Sequence, residues 1–369
     1  MNILILNWRD PKNPRSGGAE KVTFKYAEYW AKQGHSVIWI CNSFPGCVSN
    51  ESIKDVKFLR IGPDLGFTVV ELLITYPLFL LHAVFSAIKT IYKYKISLVI
   101  DEIHGLPFFT PLYCKVRKAL LVCEVAGPIW DKMYPFPINT MGKIFERIVY
   151  HIYRHTETWA ISQNTKDDIY RLNKNQNIKI LPLGIDPHVR PQVKKFSYPS
   201  AVFLGRIVKM KGVETAIQAT ADIVTNLPKF RLYIIGSADT QYKQYLEQLV
   251  SKLNINKNVI FCGQLSENEK YTLLAKSHFL FHPSYKEGFG LTVLEAGQMS
   301  TPSIVRSGSS LDELIKDEYS GLIFKKDSQI SEMFIRHYSG NKYKDMCINA
   351  KNRSTQYDWD KMLLKSNLI

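Results

Sequence analysis

The sequence predicts an α/β protein built from two doubly wound, Rossmann-like domains that face a central cleft. Three observations predict this fold: a strand–helix alternation in the first half, its return in the second half, and a proline-punctuated stretch without periodicity at 182–191. Such alternation is typical of parallel sheets with right-handed crossovers, and 369 residues suit two domains. We predict a first domain at 1–184, a second at 185–354, and a C-terminal helix at 355–369 that packs back on the first.

The first half opens with a βαβ unit. Residues 2–7 form a short apolar run typical of a buried parallel strand, and the polar loop after it ends in Ser16-Gly17-Gly18-Ala19-Glu20. A helix predicted over 21–33 ends at Gly34, where glycine favours a helix stop. Further strands are predicted at 35–40, 96–100, 119–123, 158–161 and 178–181, with a helix at 144–153.

The second half repeats the alternation after the linker. Strands are predicted at 201–204, 231–235, 259–261, 278–282 and 302–305, and helices at 213–224, 242–253, 267–275 and 290–298. Because ligands of open α/β sheets bind at the carboxyl ends of the strands, a cleft between two such domains would suit two substrates.

The charge and the cysteines of the chain indicate which classes of partner it could bind. The net charge is +15, which favours polyanionic partners: nucleic acid, an anionic membrane surface or phosphorylated small molecules. The basic residues are spread along the chain, whereas nucleic-acid proteins usually concentrate them on one face or segment. Six scattered cysteines without C-x-x-C spacing predict reduced thiols, a cytoplasmic protein and no metal site.

The most apolar stretch, 67–91, contains Glu71, Pro77, His82 and Lys89. These interruptions argue against a spanning helix, which needs about 20 nearly unbroken apolar residues. We predict a buried domain helix. The alternative is an interfacial helix at the inner face of a membrane, because Lys89, Lys93 and Lys95 follow the apolar run.

The strongest candidate site lies at residues 282–296. A strand ends at His282, a loop with Gly288 follows, and a helix begins near Gly290. Free N–H groups at a helix start, together with the helix dipole, form an anion site. Two carboxylates, Glu287 before the helix and Glu295 about one turn inside it, could accept from hydroxyl pairs. An ordinary strand–helix turn with two exposed acids is the alternative that spacing alone leaves open.

The run E-G-F-G-L-T-V-L-E-A, which begins at Glu287, resembles the signature of the family-four retaining glycosyltransferases of the GT-B fold. The similarity spans nearly the whole chain. Matching segments are Gly17-Gly18-Ala19-Glu20, Leu183-Gly184-Ile185-Asp186, Gly205-Arg206 with Lys211-Gly212-Val213, Ser307-Gly308 with Asp312-Glu313, and Trp359.

The resemblance implies a role for each matched residue in donor binding. Arg206 and Lys211 would hold the donor diphosphate, together with backbone N–H groups of Gly290, Leu291 and Thr292. Two cations suit a leaving group that gains negative charge. The remaining implied donor contacts are Glu295 on the ribose, Glu287 on the transferred sugar, Phe289 beside them, and Gly17 and Gly18 over the phosphates.

The implied catalytic set is His104, Glu287, Arg206 and Lys211. His104 follows a predicted strand end, where the family has a histidine on the acceptor side. Asp101 and Glu102 precede it as candidate bases that spacing does not decide between. Two departures from the family pattern bear on acceptor and donor geometry: Cys123-Glu124 in place of a histidine, and Ser309-Ser310 in a loop that is often acidic or glycine-rich.

The resemblance implies a metal-independent hexosyltransferase that uses a UDP- or GDP-linked donor, needs no cofactor and retains configuration. The acceptor would be a glycan or a lipid-linked molecule in polysaccharide or glycoconjugate synthesis. No D-x-D pair follows a predicted strand, which agrees with metal independence. Three alternatives stay open: a nucleotide-sugar epimerase or phosphorylase on the same fold, a non-catalytic nucleotide-sugar-binding subunit, and a nucleic-acid binder supported by charge alone.

Overall fold

Two separate β-sheets organise the chain. The computed structural model describes residues 1–64, 69–103, 106–174, 176–366 and 368–369, with side chains in the helix at 69–93 described from Ile74 onward. The first unit comprises residues 1–127, 141–183 and 366–369, and the second comprises 128–140 and 184–365. Each unit has its own sheet and its own apolar core.

The first unit contains an eight-stranded sheet in the order β3-β4-β2-β1-β5-β6-β7-β8 among the described residues. All neighbouring strands are parallel except β3 and β4, which form an antiparallel edge pair. The strands are β1 (Asn2–Leu6), β2 (Ser36–Asn42), β3 (Asn50–Ile53), β4 (Val56–Ile61), β5 (Leu98–Ile103), β6 (Arg117–Val122), β7 (Glu157–Ala160) and β8 (Ile178–Ile180); the helices are α1 (Gly18–Lys32), α2 (Val69–Lys93), α3 (Ile129–Met133), α4 (Ile138–Ile152) and α5 (Gln163–Leu172), of which α3 belongs to the second unit.

The second unit contains a six-stranded parallel sheet in the order β11-β10-β9-β12-β13-β14, counted over the described part of the chain. Its strands are β9 (Ser200–Leu204), β10 (Arg231–Ile235), β11 (Val259–Gly263), β12 (Phe279–His282), β13 (Ser303–Arg306) and β14 (Gly321–Phe324); its helices are α6 (Val213–Asn226), α7 (Thr240–Lys252), α8 (Glu267–Lys276), α9 (Leu291–Gln298), α10 (Leu311–Leu314), α11 (Gln329–His337), α12 (Gly340–Ser354) and α13 (Trp359–Lys365).

Both sheets reverse their strand order once, which confirms the predicted doubly wound class. The reversal lies between β1 and β5 in the first unit and between β9 and β12 in the second. The carboxyl ends of the strands that flank such a reversal form the ligand crevice of open α/β sheets. Short strands β3, β4 and β14 were not predicted, whereas the other strands follow the predicted order.

The C-terminal helix differs from its prediction. The predicted boundary after residue 184 lies one residue from Leu183, but α13 belongs to the second unit, and only 366–369 joins the first. The reason is local packing, because a Cβ on Gly184 would lie 2.6 Å from the Cα of Trp359. The N–H of Ile185 also donates to the carbonyl of Tyr357 at 2.7 Å.

Helix α2 combines a buried face with an exposed apolar face. Phe79, Ala83 and Ala87 are fully buried in the first unit. Within the described residues α2 is the one helix that is long and apolar enough to cross a membrane, over Ile74–Lys93, and only about a fifth of the most apolar window is buried (22%). The prediction of a buried helix therefore describes one face of α2, whereas the other face is exposed.

Candidate functional site

The candidate site of the second unit lies where strand order reverses. Strands β9 and β12 are neighbours, with Leu280 opposite Val202, so the loops that follow them leave the same edge of the sheet. The loop after β9 contains Gly205 and Arg206, and the loop after β12 contains Glu287. The fold thus brings together two segments that are about 80 residues apart in sequence.

Lys211 and Glu287 form the central ion pair. The Nζ of Lys211 lies 2.5 Å from Oε1 of Glu287, and the two side chains are only 16% and 13% exposed. Burial by itself disfavours the charged carboxyl, but Lys211 and the hydrogen bond from His282 outweigh it and lower the pKa of Glu287 to about 2. Glu287 is therefore an ionised, partly enclosed acceptor at neutral pH.

His282 contacts the central ion pair, although the sequence predicts it only as the end of a strand. Its Nε2 lies 2.8 Å from Oε1 of Glu287, and because that carboxylate is ionised, Nε2 is the donor. Its Nδ1 lies 3.4 Å from the hydroxyl of Thr292 in the first turn of α9. His282 thus connects the acidic loop to the helix start. Its position at the end of β12 was the available signal.

The two loops are joined by backbone contacts. Gly212 has φ +70°, and a Cβ there would lie 2.4 Å from the carbonyl oxygen of Pro283. The N–H of Tyr285 donates to the carbonyl of Met210 at 2.9 Å. Only glycine permits this approach, so the residue after Lys211 sets how close the two loops come.

The ring of Tyr285 contacts two cations. The guanidinium of Arg306 is 4.1 Å from the ring centroid, and Nζ of Lys132, in α3, is 4.2 Å from it. Arg306 also donates to the carbonyl of Pro283 at 3.1 Å and pairs with Asp327 at 2.7 Å. These contacts fix the loop that contains Glu287, and neither cation was a predicted site residue.

The start of α9 has the geometry of an anion site. Gly290 is the N-cap with φ +105°, and a Cβ there would lie 2.4 Å from Cδ2 of Leu311. The first N–H groups of a helix have no intrahelical acceptor, which leaves those of Leu291 and Thr292 available to an anion. Phe289 precedes them and packs edge-on against Tyr357 at 5.9 Å.

Glu295 and Arg206 are two further charged residues that the sequence predicts in this site. Glu295 is one turn inside α9, as predicted, and its Oε1 lies 3.1 Å from Nζ of Lys270. Arg206 is exposed and forms no ion pair with any residue that the structure describes. Lys211 and Glu295 therefore have protein partners, whereas the Arg206 guanidinium faces solvent.

The glycine turn and the histidine belong to the other half of the chain. Gly17 and Gly18 lie at the start of α1 in the first unit, where the N–H of Gly17 donates to Oε2 of Glu20 at 2.7 Å. His104 lies outside the described residues, so its place in the site stays a prediction.

At both departures from the family pattern, a residue that this chain has there forms a hydrogen bond with a glutamate. The Cys123 thiol lies 3.7 Å from Oε1 of Glu102, inside the first unit. The Ser310 hydroxyl donates to the backbone carbonyl of Glu287 at 2.8 Å, so this loop helps to fix the backbone of Glu287.

Over the ranges that the structure describes, no cluster of three or more His, Cys, Asp or Glu residues could hold a metal ion.

Two family models match consecutive parts of the chain. Residues 16–189 match the model described as Glycosyltransferase Family 4, and residues 187–353 match the one described as Glycosyl transferases group 1. An uncharacterised glycosyltransferase from Methanocaldococcus jannaschii is 25% identical, over 98% of this chain and 95% of its own length. An alpha-monoglucosyldiacylglycerol synthase from Streptococcus pneumoniae is 26% identical over 40% of this chain and 36% of its own length.

Solved structures show the same fold over the whole chain. Sucrose-phosphate synthase from Thermosynechococcus elongatus superposes with a TM-score of 0.84 at 19% identity, covering 99% of this chain and 96% of its own. HepE from Anabaena, in complex with UDP and glucose, gives a TM-score of 0.74 at 15% identity, covering 99% and 98%. The fold and the two family models define a glycosyltransferase of the GT-B type. The chain belongs to the family-four, group 1 glycosyltransferases.

Proposed function

We propose that this glycosyltransferase moves a hexose from a UDP- or GDP-linked donor to a glycan or lipid-linked acceptor with retention of configuration. It would need neither a metal ion nor a cofactor. The observation that carries the proposal is the buried Lys211–Glu287 pair beside the open start of α9. A cation, an ionised acceptor and free N–H groups are what a sugar diphosphate requires.

The donor diphosphate would bind at the start of α9, with Arg206 and Lys211 as its cations. Glu295, held by Lys270, would accept from the ribose hydroxyls, and Glu287 from the sugar hydroxyls. As the bond from the anomeric carbon to phosphate oxygen breaks, the diphosphate leaves with the electron pair. These cations and N–H groups stabilise that charge.

Retention would follow from attack on the same face of the sugar. The acceptor hydroxyl forms the new bond to the anomeric carbon and transfers its proton to the departing phosphate oxygen. Oε1 of Glu287 already accepts from Lys211 and His282, which supports a role in orientation rather than as a nucleophile. A trapped covalent glycosyl-enzyme on Glu287 would contradict this mechanism.

We expect one nucleoside diphosphate among UDP, GDP and ADP to raise the thermal unfolding midpoint by several degrees. A ligand at 100 times its dissociation constant adds about 2.7 kcal/mol to the free energy of unfolding. Arg206→Ala and Glu295→Ala should lose most of this shift, because each removes a donor contact. Arg336→Ala changes an exposed arginine on α11 and should keep it. Absence of any shift in the parent would refute the donor site.

Two alternative functions would give experimental results that differ from those of a transferase. An epimerase would consume the nucleotide sugar without an acceptor. A non-catalytic binding subunit would show the thermal shift but no transfer to any glycan or lipid acceptor. Acceptor-dependent release of the nucleoside diphosphate excludes both.

We also propose that α2 binds an anionic membrane surface, where the enzyme reaches a lipid-linked acceptor. From Ile74 onward, the exposed large apolar side chains of α2 repeat at alternating intervals of four and three, which places them on one helix face: Ile74, Leu78, Leu81, Phe85, Ile88 and Tyr92. Lys89 and Lys93 are exposed near its end, where they would meet lipid headgroups. The Streptococcus pneumoniae relative is named for a monoglucosyldiacylglycerol product, a sugar joined to a lipid, which supports a lipid acceptor.

We expect the protein to float with anionic liposomes at low salt, and to float less as salt is added. Leu81→Glu and Phe85→Glu should reduce flotation, because these side chains are 69% and 71% exposed and the change puts charge into the apolar face. Leu364→Glu, at a side chain that is 74% exposed on α13, is the matched control. Protein that stays in solution, or that forms α2-dependent dimers instead, would contradict the membrane proposal.

A further inference from the structure

Glu295 is an acid that lies beside the proposed anion site of the second unit. It follows Leu291, the first residue of α9, by one turn, which is about 6 Å along the helix axis. Because the Cα–Cβ bonds of a helix tilt toward its N-terminus, the Glu295 side chain leans toward the turn that begins at Leu291. A carboxylate at this distance repels a diphosphate bound there, since the Debye length at physiological salt is longer, about 8 Å.

Lys270, in α8 of the same unit, supplies the opposite charge. Its Nζ lies 3.1 Å from Oε1 of Glu295, and the two side chains are only 12% and 20% exposed. The same Nζ lies 3.0 Å from each carboxyl oxygen of Glu267. Glu267 is 63% exposed, however, and an exposed pair of this kind contributes little. The contact that water screens least is therefore the one with Glu295.

Two aromatic rings restrict the position of Lys270. Its Nζ lies 4.3 Å from the ring centroid of Tyr271, a buried residue of α8. The ring of His188 stacks on that of Tyr271, with the two centroids 4.0 Å apart. A lysine that already packs on a fixed aromatic ring loses little further freedom when a ligand binds nearby. Lys270 is therefore in place before the nucleotide arrives.

We propose that Lys270 is a positioning residue, the countercharge that allows Glu295 to contact a ribose beside a diphosphate. By pairing with Oε1, it fixes the direction in which the carboxylate accepts hydrogen bonds. By balancing the charge of Glu295, it removes the repulsion between this carboxylate and the donor phosphates. The inference deepens the proposed function and rests on it in one respect, which is that the donor binds at the start of α9.

Two other roles of Lys270 would also make its loss harmful. The lysine could bind the phosphates directly, or it could only stabilise the packing of α8 on α9. These roles differ from that of a countercharge when Glu295 is neutralised at the same time. A countercharge becomes dispensable once the charge that it balances is gone, whereas a phosphate ligand or a packing contact does not.

The test is the affinity for UDP and GDP of the parent, Lys270→Met, Glu295→Gln and the double variant. At low salt, Lys270→Met should bind the preferred nucleotide about tenfold more weakly than the parent, and added salt should reduce this loss. The double variant should bind it about threefold more tightly than Lys270→Met, because glutamine keeps an amide oxygen for the ribose and has no charge to repel the phosphates.

Two further variants are the controls. Lys270→Arg keeps the positive charge and should remain within about threefold of the parent affinity. Glu267→Gln removes the exposed partner of Lys270 and should change the affinity less than about twofold. Thermal unfolding without nucleotide checks that each variant is folded.

The outcomes separate this inference from the proposed function. If a nucleotide binds the parent but the double variant binds it no more tightly than Lys270→Met, the donor site stands and the countercharge role is wrong. The same conclusion follows if Lys270→Met binds as tightly as the parent. If neither nucleotide binds the parent, the proposed donor site fails, and the inference fails with it.

Discussion

Replacement of Lys211 by methionine is expected to lower transferase activity by about 10²–10³-fold and the free energy of unfolding by about 3–5 kcal/mol. Methionine keeps much of the volume but leaves the Glu287 carboxylate enclosed without its cation. The donor diphosphate loses a positive charge at the same time. Initial rates of nucleoside diphosphate release and chemical unfolding measure the two effects.

Two further variants separate the charge from the packing. Lys209→Met removes an exposed lysine from the same turn and should change neither quantity by much. The double variant Lys211→Met with Glu287→Gln should regain much of the stability, because no unpaired charge remains, yet stay inactive. A single Lys211→Met variant as stable as the parent would show that the pair is not enclosed as described.

Gly212→Ala is expected to cost about 2–5 kcal/mol of stability and to lower activity at least tenfold. The residue has φ +70°, and its new Cβ would lie 2.4 Å from the Pro283 carbonyl oxygen. A left-handed conformation costs an alanine about 1–2 kcal/mol, and overpacking adds about 1–3 kcal/mol. Because the clash is with backbone, the loop must move, and Lys211 and Glu287 are then separated.

Gly340→Ala provides the matched control for this substitution. Gly340 has φ +86°, but a Cβ there meets nothing within 4 Å, so only the conformational cost applies. Urea unfolding of both variants and their initial rates test the comparison. Equal losses of stability at the two positions would mean that the approach of Pro283 to Gly212 is unimportant.

Most of the fold could be predicted because its strands are local apolar runs between helices. Strands β3 and β4 were missed. Strand β3 is the polar edge segment Asn50–Ile53 and becomes a strand only through pairing with β4, whose residues are alternately buried and partly exposed. Strand β14, Gly321–Phe324, lies at the other sheet's edge.

Within the candidate site, the family resemblance implies a donor contact for each matched residue, but it does not predict which of these residues contact one another. Lys211 and Glu287 were assigned to different parts of the donor, and their direct pairing depends on how closely Gly212 approaches Pro283. Contacts of this kind join segments that are far apart in sequence. The roles of His282, Tyr285, Arg306 and Ser310 were missed for the same reason.

The candidate bases Asp101 and Glu102 show a second limit of prediction from the sequence. Side chains alternate along a strand, so neighbours in β5 face opposite sides of the sheet. Asp101 accepts from the Thr110 hydroxyl at 2.8 Å and from Tyr153, whereas Glu102 accepts from Asn7. Their order in the sequence could not assign these environments, because the partners come from other elements.

The division of the chain affects the order in which it can fold during synthesis. Residues 128–140 are made with the first half but belong to the second unit, so Lys132 must wait for Tyr285 to be synthesised. The first unit also lacks one of its contacts until Leu368 has been made, because Arg117 donates to the carbonyl of Leu368 at 3.1 Å. Domains generally fold as units from the N-terminus as the chain emerges. Here the second unit cannot complete its contacts before α13 has been made, nor the first before Leu368 has been made.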